Sequence, residues 1–185
     1  MATKVSICNE ALVILKQKQV ASIPQSGSAP SYVLDTIYDS RVEYLLRSHV
    51  WKFAKDRVIL APNTDTPAFD WAYSFNLPSG FLRLIKTKYI VEGDYEIEGR
   101  CLLSNSDTIY LNYVKKITDP NLFDETFRLA LAALLARDGS RSITGKFSNE
   151  AAALYAQYID EAMFNNSIEM PSEEIEADDW ILSRL

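Results

Sequence analysis

The chain has 185 residues, 48% hydrophobic and 24% charged, enough to bury a core without metals or disulfides. Acidic side chains outnumber basic ones 25 to 19, a balance that argues against tight wrapping of nucleic acid through neutralised phosphates. No apolar run approaches membrane-spanning length, and Lys4 followed by no long apolar stretch does not make a signal peptide.

Val5, Cys8, Leu12 and Leu15 recur at three- and four-residue steps and predict a first helix over 4–17. The stretch Ser22-Ile-Pro-Gln-Ser-Gly-Ser-Ala-Pro30 breaks it. A second helix is expected over 31–49, with Leu34, Ile37, Tyr38, Val42, Leu45, Leu46 and His49 in one stripe. The period then changes. Val58-Ile59-Leu60 reads as a short strand, ended by Ala61-Pro-Asn-Thr-Asp-Thr-Pro67. Trp71, Tyr73, Phe75 and Leu77 alternate with Ala72, Ser74 and Asn76, the period of a half-buried strand. Further strands are expected at 82–90, 96–97, 101–103 and 108–114, with turns at Pro78-Ser79-Gly80, Glu98-Gly99-Arg100 and 104–107. Helical signals return at Asp119-Pro120, where Asp can cap and Pro suits the first helical position. Phe123, Phe127, Ala130, Leu131, Leu134 and Leu135 share a face through about Asp138, and Ala130, Ala132, Ala133 and Ala136 leave room for a close neighbour. Gly139 and Gly145 are expected to bracket a connection, and a last helix over 147–164 carries Ala151, Leu154, Tyr155, Tyr158, Ile159 and Ala162 on one side.

The fold class read from this pattern is α+β, mainly α: a four-helix body with an inserted antiparallel β-sheet and an extended C-terminal tail. Its divisions are the N-terminal helices at 1–56, the β insertion at 57–117, the C-terminal helices at 118–168 and the tail at 169–185.

Little in the chain carries chemistry, and the expectation is a protein that is not an enzyme, with no catalytic, metal-binding or cofactor-binding residues and no cofactor. His49 is the single histidine, so any histidine-dependent mechanism must pass through it. Ser48 beside it points to another helix face and cannot form a dyad with it. Cys8 and Cys101 stand in no metal or redox spacing and are expected as free thiols of a reducing compartment. Glu92, Asp94, Glu96 and Glu98 bracket a hairpin and are expected as a solvated strand face rather than a carboxylate pair for glycosidic chemistry. No phosphate-binding glycine motif is present.

The tail is the exception. Residues 169–185 hold six acids and one base, net −5, which leaves −1 for residues 1–168. The acidic run then ends in Trp180, Ile181, Leu182 and Leu185. A purely solvated tail has no use for four large apolar side chains, so these residues are the candidate interaction site: a tethered peptide that docks on a partner groove, or one that folds back on its own body.

Leu46-Arg-Ser-His-Val-Trp-Lys-Phe-Ala54 resembles a signature of the phage tail tubular protein A family, the head-to-tail adaptors of short-tailed bacteriophages, whose members tend to read Leu-Arg-Ser-His-Pro-Trp-Asn-Phe-Ala. Val50 and Lys52 depart from it, which implies a softer break after the second helix. Further stretches agree in order: Asn9-Glu-Ala-Leu12; Phe75-Asn-Leu-Pro-Ser-Gly-Phe-Leu-Arg-Leu84; Asp119-Pro120 with Phe123-Asp-Glu-Thr-Phe127; and Leu129-Ala-Leu-Ala-Ala133 running to Ile143-Thr-Gly145. Together they span about residues 7–160 and leave the tail uncovered. The resemblance implies a structural virion protein made in the host cytoplasm, one subunit of a ring, typically of twelve copies, in the neck of the virion. Its partners would be the portal protein, the tail tube or nozzle protein and further copies of itself, with DNA passing through the channel unread and no membrane. Ring contacts are expected from the helical body, including the alanine surface at 130–136. Two other classes remain open at this point: a connector or head-completion protein of a long-tailed phage, and a small-ligand or enzymatic domain that uses the β insertion as a pocket.

Overall fold

A computed structural model of the chain describes residues 1–90 and 93–168; the readings made for residues 169–185, Trp180, Ile181, Leu182 and Leu185 included, lie outside the described residues. The described chain is mainly helical, with four α-helices and six antiparallel strands inserted between the second and third helix. Helix α1 (Lys4–Ile14) begins at a capping box: the Thr3 hydroxyl accepts the Ser6 N–H, and the Ser6 hydroxyl accepts the Thr3 N–H. It buries Ile7, Cys8, Ala11 and Leu12. Helix α2 (Ala29–Ser48) has Pro30 in its first turn and buries Leu34, Tyr38, Val42, Leu45 and Leu46, the spacing expected of its stripe. His49 does not belong to that stripe. The helix stops at Ser48, and His49 is already extended, with φ −141° and ψ 164°.

Helix α3 (Glu125–Thr144) is the axis of the body and packs against α1, α2 and α4 (Asn149–Ile168). Its alanines at 130, 132, 133 and 136 are buried, so the neighbouring helices come close on several sides at once. That burial removes residues 130–136 as a surface for ring contacts, contrary to the expectation from their small side chains. Two further expectations about this helix need correction. Asp119-Pro120 opens a separate 3-10 turn (Pro120–Leu122), while α3 starts five residues later under an Asp124 cap. Gly139 does not end the helix either. A side chain there would meet Ile143 Cδ1 at 3.2 Å and Leu34 Cδ2 at 3.6 Å, so its smallness serves the approach of α2. The helix ends at Gly145, whose φ of 79° is the left-handed cap conformation. Asp138 joins α2 to α3: burial alone would raise its carboxyl, but hydrogen bonds from Arg137 (2.7 Å) and Arg41 (2.5 Å) hold it below the usual range.

The insertion comprises two three-stranded antiparallel sheets. Strands β1 (Lys55–Leu60), β6 (Ile109–Lys115) and β3 (Phe81–Lys88) lie in the order β1-β6-β3. Strands β2 (Tyr73–Asn76), β5 (Cys101–Ser104) and β4 (Tyr95–Glu98) lie in the order β2-β5-β4. One face of each sheet buries a shared core of Leu60, Phe75, Leu77, Leu102, Ile109, Leu111 and Tyr113. Phe75 is completely buried there, Tyr73 packs on it half-buried, and Trp71 falls before the strand begins. Glu96 and Glu98 are exposed as expected, although Ile97 between them is also exposed, so both faces of β4 meet solvent. The larger core holds the four helices and also takes in Leu82, Ile85 and Val114 from the first sheet.

Candidate functional site at the helix-to-sheet junction

Residues 46–54 turn the chain from α2 into β1 and meet both α3 and α4. After Ser48 the chain is extended through His49 and Val50, Trp51 folds inward, and a single 3-10 turn (Lys52–Ala54) hands over to β1. Trp51 is 1% exposed and its indole N–H donates to the Leu45 carbonyl at 2.8 Å, which satisfies the one polar atom of a buried ring. Its ring meets Phe127 of α3 edge-on at 5.1 Å and stacks on Phe53 at 6.2 Å. Phe53 and Phe123 complete an aromatic cluster around Phe127.

Asn166, in the last turn of α4, closes the junction from the far end of the chain. Its Oδ1 accepts the Lys52 backbone N–H at 2.8 Å, and its Nδ2 donates to the Val50 carbonyl at 2.9 Å and to His49 Nε2 at 3.0 Å. The Lys52 N–H can only donate, so the orientation of the amide is settled, and His49 Nε2 must accept. The imidazole is therefore held neutral. Burial lowers its pKa first, and the Arg83 charge nearby lowers it further.

Among the described residues no acid, hydroxyl or thiol is hydrogen-bonded to His49, which uses its ring nitrogen to hold a helix end. Cys8 lies in the helical core, where burial pushes its thiol up to about 12, far from nucleophilic at neutral pH. Cys101 is a free thiol with a weak contact to Asn76. Among the described residues no cluster of three His, Cys, Asp or Glu side chains could hold a metal ion, and no helix is long and apolar enough to cross a membrane. The chain matches no protein-family model and no curated protein.

A pH effect follows from His49. Because its folded pKa lies below the ordinary value, the unfolded chain takes up the proton first as pH falls. Its contribution is complete above about 6.5 and is lost as pH drops from there toward the lowered folded pKa. His49→Gln is expected to cost about 1 kcal/mol at neutral pH and to flatten the stability profile as pH falls from about 7. Urea midpoints measured across that range check both parts.

Two features lay beyond the reach of sequence reasoning. Asn166 is 3% exposed and central to the junction. Its only sequence signal is the weak helix-forming run Asn165-Asn166-Ser167 at the end of an otherwise regular helix. The second is a groove of about 980 Å³ on the outer face of the β1-β6-β3 sheet, where Arg57, Lys86 and Lys88 stand among Ile59, Tyr89 and Tyr110. Elsewhere, large apolar side chains are exposed on the helical body at Val13, Tyr32, Tyr44 and Phe164.

Proposed function

We propose that the chain is a structural virion protein, one subunit of the ring-shaped head-to-tail adaptor that joins portal to tail in the neck of a short-tailed bacteriophage. The packing of residues 46–54 supports this most directly. The segment that most resembles the tail tubular protein A family is also the segment that ties α2 to α3 and α4, through Trp51, His49 and Asn166. A sequence signature that works as architecture suits a protein whose task is to hold a shape. The exposed Val13, Tyr32, Tyr44 and Phe164 on α1, α2 and α4 are apolar area that a ring would cover, and they replace residues 130–136 as the candidate subunit contacts. The near-neutral body suits a channel through which DNA slides, since a strongly basic lining would grip it.

Native mass spectrometry of the chain with its portal protein tests the proposal, and a closed ring of the chain, about twelve copies by family resemblance, is the expected product. Tyr44→Glu combined with Phe164→Glu should leave the fold intact, since both positions are exposed. Each should weaken assembly by about tenfold or more, the effect of roughly 1.4 kcal/mol lost per contact. A chain that stays monomeric with portal in excess would overturn the proposal. Assembly with a long-tailed-phage tail protein in place of a nozzle would move the subunit to a different connector class.

A further inference from the structure

We propose that the chain joins further copies of itself head to tail: the outer face of α4 in one copy seats where the arginines of α2 and α3 emerge beside α4 in the next. The receiving surface is built around Asp138. Arg41 of α2 and Arg137 of α3 each donate through Nε to its carboxylate, so two guanidinium groups share one negative charge. Arg137 also lies over the ring of Tyr155 from α4, 4.6 Å from its centroid, and Tyr44 of α2 stands near both. Arg141 follows one turn after Arg137 on the same side of α3. It is exposed and makes no ion pair with a described residue. The cluster thus sets three arginines against Asp138, beside a Tyr44 side chain that is 54% exposed. Its positive charge is not balanced within the described chain.

The far side of α4 carries the complement. This helix holds Glu150, Asp160 and Glu161 and no base. Glu150 is paired with Lys16, whereas Asp160 and Glu161 are exposed and make no ion pair with a described residue. At about 3.6 residues per turn, Phe164 is rotated about 180° from Tyr155 and Asp160 about 140°. Tyr155 faces Arg137, so Phe164 and Asp160 point away from the receiving surface of their own chain. Phe164 is 64% exposed. One face therefore offers a large ring beside two carboxylates, and the other a large ring beside three guanidinium groups. Carboxylates pair with arginines through parallel N–H bonds, and Phe164 of one copy against Tyr44 of the next supplies the apolar centre. Because the two surfaces lie on opposite sides of α4, a single partner cannot cover both. Such a contact is heterologous and repeats from copy to copy, closing into a ring or running on. The inference rests on the adaptor reading for closure alone, since the match of charge and ring needs only this chain.

Sedimentation velocity of the full-length chain over rising concentration tests it. The wild type should form a growing series of oligomers that high salt weakens. Tyr44→Ser with Arg141→Ser removes the receiving surface, and Asp160→Ser with Phe164→Ser removes the inserting one. All four positions are exposed, so the circular dichroism of each variant should match the wild type. Either variant alone should associate at least about tenfold more weakly. Mixed in equal amounts, the two should form pairs with wild-type affinity and grow no further, because each keeps the surface the other has lost. A wild type that stays monomeric at its highest soluble concentration overturns the proposal, and so does a mixture that associates no better than its parts. Association that both variants retain overturns it in favour of a contact elsewhere on the chain. If the paired variants behave as expected but no closed ring forms with portal, this contact stands and the adaptor reading falls.

Discussion

Trp51→Ala should lower the stability of the chain by about 3–5 kcal/mol, the range found when a large aromatic is removed from a packed core. The ring is buried against Phe127 of α3 and against Phe53 and His49 on either side of it in the junction. Domains of this kind hold only about 5–15 kcal/mol in total, so the variant is expected to be partly unfolded at physiological temperature. Urea or thermal unfolding followed by far-ultraviolet circular dichroism measures the loss. Trp51→Phe separates the causes. It keeps most of the volume but removes the donor to the Leu45 carbonyl, and should cost about 1–3 kcal/mol. If the alanine variant were no worse than the phenylalanine variant, the junction would depend on the hydrogen bond and not on packing.

Asn166→Leu is the second large effect. The substitution is close in volume, yet it removes the acceptor of the Lys52 N–H and the donor to Val50 and His49 at a buried position. Leaving buried polar groups without this partner costs about 1–3 kcal/mol each, and we expect a total of about 2–4 kcal/mol. The loss should be local as well as global: exchange at the Lys52 amide and through the last turn of α4 should accelerate before the chain unfolds. Combining Asn166→Leu with His49→Gln should cost less than the two losses added, because the second change removes a group whose partner has already gone. Additive losses would show that the 3.0 Å contact between the two side chains contributes nothing.

Much of the helical body was legible in the sequence because the signals involved are local. The stripe Leu34, Tyr38, Val42, Leu45 puts one face of α2 inward whatever the rest of the chain does, and the alternation through Tyr73 and Phe75 does the same for β2. The ends of α3 were less legible. Asp119-Pro120 and Asp124-Glu125 both resemble helix starts, and only packing of Phe123 and Phe127 against Phe53 separates the short turn from the long helix. Gly139 reads as a helix breaker from its intrinsic preference, about 1 kcal/mol against alanine. The contacts of α3 with α2 outweigh that preference, which no local rule could reveal.

The sequence by itself determined the class, mainly helical with an antiparallel insertion, because period, caps and turn residues act over a few positions and need no partner. Only the tertiary structure decided that the six strands divide into two sheets, because pairing choices such as β1 with β6 join residues 49 to 59 positions apart. It alone decided that Asn166 would be buried beside His49, and that Arg57, Lys86 and Lys88 would share one face around Tyr110. The charges of that groove are carried by two strands that meet only across a third. Their clustering is a property of register, and register is set by long-range contacts that leave no pattern in either strand alone.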